Sequence, residues 1–321
     1  MNKDYIYRSP IFYMGNKCKL LKQLLPLFPK SCETFVDLFG GSGVVSMNYQ
    51  GTNKTIYNEF NHNIVELVKM VKEIEPKDLD NYLKNRIHEF DIQPIKDRKY
   101  FENEETYQKQ LEKQKGYYSF REFYNNTKER DYRDLYLLAC FSINHLIRFN
   151  KDNQFNASCG NLQQYSESVY EQICNMHNIF QNVIIQHNDA LSLNLNQFSN
   201  NDFIYCDPPY LNTKAVYNEK RAFGGWDIDC DKQLFNLLEE ANKRGIKWGL
   251  SNVFENRDKR NEHLIKWCED NNWYVYHLNR NYNPFSRGNS NNDEVYICNY
   301  TNQSISEWLD KLLEVKENED K

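Results

Sequence analysis

Apolar and polar positions follow two different patterns along this chain, and each pattern predicts its own kind of element. Short apolar runs closed by polar or turn-forming residues predict buried strands, and they lie at residues 35–39, 54–58, 183–187, 202–206, 247–251, 273–278 and 294–300. Apolar residues at helical spacing predict helices, and they lie at residues 16–28, 61–73, 232–244 and 260–270. Strands that alternate with helices indicate an α/β fold with a mostly parallel sheet.

The alternation of strands and helices stops in the middle of the chain. Charged helical stretches, an aromatic cluster and an apolar helix occupy this part, at residues 78–90, 102–115, 117–124 and 135–147. An interruption of this size predicts an inserted, mostly helical domain at residues 76–165. Residues 1–75 and 166–321 would then form the α/β domain around it.

Two hairpins are predicted. Residues 148–156 place polar turn residues between two short arms that contain Phe149 and Phe155, a pattern typical of a β-hairpin. The strands at 273–278 and 294–300 are joined by an Asn-rich loop, with Arg280 and Arg287, that has no helical pattern. We therefore expect these last two strands to be antiparallel.

The strand at 202–206 ends in the sequence Asp207-Pro208-Pro209-Tyr210. Two prolines stop the strand, so a carboxylate, a backbone carbonyl without a matching N–H and an aromatic ring follow it closely. Such a group suits a flat ring that carries an amino group, although an exposed Asp and a packed Tyr at a strand end would give the same letters. The polar residues 211–227 that follow lack periodicity and predict a lid.

A glycine-rich loop follows the first predicted strand. Glycines let the backbone approach a ligand closely, and the loop leads into a helix near Val44. A nucleotide-phosphate loop would close with Gly-Lys-Ser/Thr, and a dinucleotide loop would have a third glycine where Ser46 stands. Asp37 before the loop favours a ligand with a positive amino-acid group, such as S-adenosylmethionine. Glu59, which ends the next strand, is then a candidate for binding ribose hydroxyls.

Charge, cysteine content and the length of the apolar runs limit the classes of protein to which this chain can belong. The chain of 321 residues has a net charge of −5, of which the segment 307–321 carries −3 (six acidic and three basic residues), so any nucleic-acid contact must be local. Nine cysteines without a CxxC pair suggest neither a disulfide framework nor a zinc site. With no membrane-length apolar run or signal pattern, we expect a cytoplasmic protein.

Five motifs in this order resemble the Dam family of DNA adenine methyltransferases. They are Tyr13 with Gly15 and Lys17, FVDLFGGSG at 35–43, Asn58-Glu59-Phe60-Asn61, Asn188-Asp189-Ala190 and DPPY at 207–210. The resemblance implies a Rossmann-like methyltransferase sheet that ends in an antiparallel hairpin, with a target-recognition insertion containing a β-hairpin. It also implies S-adenosyl-L-methionine as cofactor and double-stranded DNA as partner, without a metal.

The resemblance implies three sets of site residues. Those implied to bind S-adenosyl-L-methionine are Tyr13, Lys17, Asp37, Phe39, Gly40, Ser42, Gly43, Glu59 and Asp189. Those implied to hold the target adenine are Asp207, Pro208, Pro209 and Tyr210. Those implied to contact DNA are Asn144, Leu146, Arg148 and Asn150, with Arg148 matching an arginine that reads guanine in GATC-specific members.

This chain departs from the family pattern near the recognition hairpin. Ile143 stands where an intercalating aromatic is usual, and residues 140–142 and 157–159 differ from the common motifs. The recognition sequence, GATC or a related site, therefore stays open. The oligomeric state, monomer or weak dimer, also stays open. So does the biological role, which is beside a cognate restriction endonuclease, in a phage or in housekeeping.

Three other functions compete with adenine methylation. A cytosine amino-methyltransferase would share the geometry, although the family resemblance links Asp207 to adenine. A catalytically silent DNA-binding module would not need Asp37, Glu59 and Asp207 together. A nicotinamide-linked oxidoreductase is disfavoured by Ser46.

Overall fold

The computed structural model describes residues 5–13, 15–94, 102–160, 165–211, 225–256, 259–278 and 292–301. Their contacts group into two compact units. The described residues of Met1–Ile6, Asn16–Phe60 and Asn182–Lys321 form the first, and those of Tyr7–Gly15 and Asn61–Gln181 form the second. The second unit includes one helix on each side of the predicted insertion 76–165, and that predicted domain division stays a prediction.

The described residues of the first unit form one eight-stranded sheet. The strands are β1 Thr34–Asp37, β2 Lys54–Asn58, β3 Val183–Gln186, β4 Phe203–Cys206, β5 Lys247–Asn256, β6 Lys259–Arg260, β7 Tyr274–Leu278 and β8 Asn292–Cys298. Parallel pairs join β3, β2, β1, β4 and β5 in that order. Antiparallel pairs add β8 and then β7, which confirms the predicted terminal hairpin, and the short β6 pairs with β5.

Both faces of the sheet are covered. Successive side chains of a strand point to opposite faces, so Phe35 and Phe203 pack in one core while Val36 and Ile204 pack in the other. The first core is covered by α1 Leu21–Leu24 and α2 Val44–Asn48, and the second by α9 Ile228–Lys243 and α10 Glu262–Asn271. All residues of β1 and β4 are buried, as expected for parallel strands covered on both faces.

The strand order places a switch point beside β1. The chain runs from β1 to β2 and β3 on one side and then returns to β4 on the other side. In open α/β sheets, ligands bind where the strand order reverses, outside the carboxyl ends of the strands. The carboxyl ends of β1 and β4 are therefore where this unit can form a binding site.

The second unit is a group of helices. They are α3 His62–Glu73, α4 Pro76–Glu89, α5 Glu104–Leu111, α6 Gln114–Asn126, α7 Tyr132–Phe141 and α8 Glu167–Phe180. Helix α7 is buried from Asp134 to Phe141 and packs against α3, α4 and α6, so it is the core of the unit. Side chains of Asn61 and Asp131 cap α3 and α7 by accepting backbone N–H groups.

Two predicted helices are shorter than expected. The helix predicted for 16–28 begins only at Leu21, because the preceding residues form a turn in which Leu20 N–H donates to the carbonyl of Lys17; a 3-10 turn then follows at Leu25–Leu27. The helix predicted for 135–147 ends at Phe141. Ser142 is extended and forms an antiparallel bridge with Cys159. This tertiary backbone pairing ends the helix before the apolar pattern does.

Three predicted segments lie wholly or partly outside the described residues. They are most of the lid 211–227, the loop with Arg280 and Arg287, and the charged segment 307–321. Among the residues that are described, no helix combines the length and apolar character that crossing a membrane requires. Within the described residues, which include all nine cysteines, no disulfide bond is present.

Candidate active site

The loop from Gly40 to Gly43 connects β1 to α2, as the sequence predicts. Gly41 and Gly43 have φ angles of 49° and 73°, a left-handed conformation that residues with a Cβ rarely adopt. Gly40 donates its N–H to the carbonyl of Asn58 over 2.7 Å, and a Cβ on Gly40 would lie 2.2 Å from the ring of Tyr57. The glycines are therefore required by the turn and by its close approach to β2.

Asp37 ends β1 with its carboxylate bonded to the start of α2. Its Oδ2 accepts the backbone N–H of Ser46 at 3.2 Å and the Ser46 hydroxyl at 2.7 Å. Burial raises the pKa of Asp37 from 3.8 to about 7; the Ser46 bonds oppose the rise, the Asp207 carboxylate adds to it and Lys17 opposes it. Ser46, at the position of a missing third glycine, thus fixes Asp37 against the loop.

Glu59 follows β2 and holds the glycine loop from its other side. Its Oε2 accepts the N–H of Gly41 at 2.9 Å, and the Tyr57 hydroxyl donates to the carbonyl of Gly41 at 2.6 Å. The Glu59 side chain is buried. The predicted ribose-binding carboxylate therefore lies directly against the predicted cofactor loop.

Asn58 joins the ends of three strands. Its side-chain amide donates to the carbonyls of Leu38 and Asn188 at 3.0 and 3.1 Å, and its Oδ1 accepts the N–H of Asn188 at 3.1 Å. The sequence motif contained Asn58 without giving it a role. In the structure it holds the segment after β3 next to the segment after β1.

Asp207 follows β4 and is paired with Lys17. The Lys17 ammonium lies 2.6 Å from each carboxylate oxygen of Asp207, and Lys17 is only 4% exposed. Because β1 and β4 pair in parallel, with Asp37 opposite Tyr205, Asp37 and Asp207 belong to the same edge of the sheet. The structure thus brings together Lys17, which the resemblance assigned to the cofactor, and Asp207, which it assigned to the adenine.

Tyr210 completes this cluster together with Glu294, which sequence reasoning missed. The Tyr210 hydroxyl donates to Asp207 Oδ1 at 3.1 Å and to Glu294 Oε1 at 3.4 Å. The Lys17 ammonium lies 5.0 Å from the centre of the Tyr210 ring and 3.9 Å from Glu294 Oε1. Glu294 lies on β8, far along the chain from the other members, so only the pairing of β8 with β5 could have indicated it.

The remaining cofactor candidates of the first unit differ in exposure. Ser42 is buried within the loop. Phe39 packs its ring edge to face with Trp226, with centroids 5.4 Å apart. Asp189 is exposed, and its Oδ1 caps a short 3-10 turn by accepting the N–H of Leu191. The carboxylate of Asp189 follows β3, where its backbone is held through Asn188 and Asn58.

Tyr13 and the four DNA-contact candidates belong to the second unit. Arg148 joins the two arms of the predicted hairpin: its Nε donates to Asn156 Oδ1 at 2.7 Å and its Nη2 to the Asn156 carbonyl at 2.8 Å. Phe149 and Phe155 form the antiparallel bridge, which confirms the hairpin. Asn150 accepts the N–H groups of Asp152 and Gln154 and closes the turn.

The segment before the hairpin has an uncommon backbone. Asn144 and His145 have φ angles of 52° and 53°, which few non-glycine residues adopt, and the His145 ring stacks on Phe12 with centroids 3.6 Å apart. Asn144 and Ile143 are exposed, and the Leu146 carbonyl accepts the Ser142 hydroxyl at 3.0 Å. The Asn144–Leu146 candidates therefore lie on a tight, tertiary-stabilised turn.

Comparison with known proteins identifies the family of this chain. The sequence profile described as "D12 class N6 adenine-specific DNA methyltransferase" matches residues 13–282. Modification methylase StsI of Streptococcus sanguinis is 34% identical over 310 residues, which cover 95% of this chain and 44% of that protein. Type II methyltransferase M.FokI of Planomicrobium okeanokoites is 33% identical over 303 residues, which cover 92% of this chain and 43% of that protein.

The chain thus spans less than half the length of these two relatives. The matched range nevertheless contains the glycine loop, Glu59, the hairpin segment and the DPPY sequence, in the order of the Dam-family resemblance. This chain belongs to the D12 class of N6 adenine-specific DNA methyltransferases.

Proposed function

We propose that this chain transfers a methyl group from S-adenosyl-L-methionine to the exocyclic amino group of an adenine in a short duplex DNA sequence. One observation carries the proposal. The glycine loop with Asp37 and the cluster of Lys17, Asp207 and Tyr210 follow two strands, β1 and β4, that pair in parallel. A methyl donor and a methyl acceptor can therefore be held at one edge of the sheet.

The residues after β1 and β2 suit the proposed cofactor. The glycine loop allows a close backbone approach, and Glu59 offers a buried carboxylate to ribose hydroxyls. When bound, S-adenosyl-L-methionine supplies a methyl group on a positively charged sulfur. The carboxylate of Asp37 is already bonded to Ser46, so it supports the loop. Its charge would also attract the positive groups of the cofactor.

The residues after β4 suit an adenine amino group. Its nitrogen is a poor nucleophile because the lone pair is delocalised into the ring. Asp207 and the Pro208 carbonyl can each accept one N–H, which directs the nitrogen towards tetrahedral geometry and frees the lone pair. Tyr210 offers its ring for stacking on the base, since its hydroxyl is held by Asp207 and Glu294.

The charges of the cluster fit this reaction. Burial, with the Asp207 and Glu294 carboxylates nearby, raises the pKa of the Tyr210 hydroxyl well above its usual value, so this hydroxyl stays a donor. After transfer, the amino nitrogen carries one proton too many, and Asp207 is the carboxylate placed to accept it. Lys17 holds Asp207 in position and balances its charge.

The hairpin of the second unit is the proposed DNA-reading element. Arg148 can present its remaining donors to a guanine edge, which a bidentate guanidinium fits well. The adenine must leave the duplex to be methylated, at a cost of a few kcal/mol. The names of the relatives, modification methylase and type II methyltransferase, support a role beside a restriction endonuclease.

The test of the proposal is methyl transfer from labelled S-adenosyl-L-methionine to unmethylated duplex DNA. After digestion to nucleosides, the label should appear in N6-methyladenine, and sequencing of modified positions would identify the recognition site. Asp207→Ala should lower turnover by roughly 10²–10³-fold, by analogy with the loss of one oxyanion donor.

Asp270→Ala is the matched control, because Asp270 is an exposed carboxylate on α10. It should leave turnover unchanged. Label in N4-methylcytosine would favour the cytosine alternative. Normal methylation by Asp207→Ala would refute the assignment of Asp207, and a wild-type chain that does not bind S-adenosyl-L-methionine would favour a silent DNA-binding module.

A further inference from the structure

Glu294 is a carboxylate of the cluster that the DPPY motif does not explain. It has no exposed surface, and it accepts the Tyr210 hydroxyl at 3.4 Å. Its Oε1 lies 3.9 Å from the Lys17 ammonium, which also contacts both oxygens of Asp207. Two carboxylates from different strands, β4 and β8, thus share one lysine.

A buried carboxylate is costly to fold unless other groups stabilise its charge. The residues that follow on β8, Val295, Tyr296 and Ile297, are core residues with no exposed surface. A glutamine would fill nearly the same volume as Glu294 without the desolvation cost. The Lys17 ammonium and the Tyr210 hydroxyl are two groups that stabilise the Glu294 carboxylate here.

We propose that Glu294 is a positioning residue that also strengthens binding of the positively charged methyl donor relative to the neutral thioether product. This inference rests on the proposed function, and it adds a role that the motif residues do not supply. Glu294 holds Lys17 and Tyr210, and through them the oxygens of Asp207 and the stacking ring. Its negative charge stabilises a cation at the reaction centre and has little interaction with an uncharged sulfur.

The size of this effect follows from the charge that distinguishes donor from product. One unit charge acting over several ångströms, at an effective dielectric constant of about 20, changes binding by roughly 10-fold or more. The comparison of Glu294 with glutamine isolates that one charge.

The experiment titrates S-adenosylmethionine and S-adenosylhomocysteine separately into the full chain, as wild type, Glu294→Gln and Glu294→Asp. Glu269→Gln is the control, because Glu269 is an exposed carboxylate on α10. We expect Glu294→Gln to bind the sulfonium compound about 10-fold more weakly relative to the thioether. The control should keep the wild-type ratio of the two dissociation constants.

Glu294→Asp keeps the charge but shortens the side chain. It should keep the wild-type ratio of the two dissociation constants while kcat falls, because Lys17 and Tyr210 lose part of their support. This variant also carries the test if Glu294→Gln does not fold. Folding of each variant is checked by its thermal unfolding curve.

Two results would overturn the inference. An unchanged ratio of the two dissociation constants in Glu294→Gln, whether or not both compounds bind more weakly, would indicate a purely structural role. A folded Glu294→Asp whose ratio shifts as far as expected for Glu294→Gln would show that charge is not what matters. A wild-type chain that binds neither compound would instead refute the proposed function, so the two failures are distinguishable.

Discussion

Asp37 shows how burial changes a residue that the sequence already selects. The sequence suggested a carboxylate offered to a positive ligand group. In the structure the side chain is 1% exposed, bonded to Ser46 and coupled to the charges of Asp207 and Lys17. Its proton is therefore sensitive to the whole cluster, and its first task is to hold the glycine loop.

This burial predicts a pH dependence of stability. The pKa of Asp37 is raised from 3.8 to about 7 in the folded protein, so between these values the folded state holds a proton that the unfolded chain has released. The contribution of Asp37 to the free energy of unfolding should fall as the pH rises through this range and stay constant above it. The fall is at most about 1.4 kcal/mol per pH unit.

Asp37→Asn removes this titration while it keeps the shape. We expect the difference in free energy of unfolding, wild type minus Asp37→Asn, to decrease between about pH 4 and pH 7. Urea denaturation at several pH values measures it. Asp270→Asn, at an exposed position, should show no such change, and a flat difference for Asp37→Asn would contradict the raised pKa.

The site residues fall into two groups by how well the sequence predicts them. Asp37 was found because it lies on an apolar strand pattern that leads into the glycine loop, and Glu59 and Asp207 because each follows such a pattern. Glu294 and the role of Ser46 were missed because they depend on contacts, one across β5 and β8 and one across the glycine loop. Local patterns give the ends of strands, whereas partners from distant segments require the strand order.

Among the elements, the hairpin at residues 148–156 combines a correct prediction with a wrong one nearby. Its turn residues and paired phenylalanines are local signals, and the hairpin forms where expected. The preceding helix was predicted to reach residue 147 but ends at Phe141. The N–H of Ile143 donates instead to the carbonyl of Ser158, and sequence periodicity cannot show such a competing partner.

The hairpin predicts separable effects on DNA and on cofactor. Arg148→Ala removes both bonds to Asn156 and the proposed guanine contact. We expect weaker binding to specific duplex DNA and about 1–3 kcal/mol less discrimination at one base position, with unchanged affinity for S-adenosylmethionine. Fluorescence anisotropy with matched and single-mismatch duplexes measures the first effect, and calorimetry measures the second.

Lys151→Ala is the control for this element. Lys151 is exposed in the same turn, and its loss should weaken binding to all duplexes equally because it would contact only phosphates. If Arg148→Ala instead weakened cofactor binding and left DNA discrimination unchanged, Arg148 would not belong to the DNA interface.

At the scale of the whole molecule, the sequence predicts the fold class but not the order of the strands in the sheet. Strand and helix patterns predicted an α/β fold, and the profile match and the sheet confirm it. The patterns did not show that β8 lies between β5 and β7, nor that α3 and α8 group with the inserted helices. Both arrangements depend on which apolar faces pack together. The sequence does not distinguish these faces, because many of them along this chain are similarly apolar.

The two units predict different footprints for the two ligands. The proposed cofactor residues, except Tyr13, lie in the first unit together with Asp207 and Tyr210 for the target adenine, and the proposed DNA-reading residues lie in the second. Hydrogen exchange with mass spectrometry can follow both. S-adenosylmethionine alone should slow exchange in residues 38–46, by up to about 100-fold at 100 times its Kd, because it stabilises the loop that Glu59 and Ser46 already hold.

Duplex DNA with the recognition site should add protection in residues 143–156, where the uncommon backbone of Asn144 and His145 and the Arg148 bonds would be stabilised. Residues 171–180 of α8, which contain no proposed contact, are the internal control and should change little with either ligand. DNA protection confined to the glycine loop would place the DNA contacts elsewhere. If S-adenosylmethionine protected only residues 143–156, the cofactor would not bind at the carboxyl end of β1. That result would contradict the proposed chemistry.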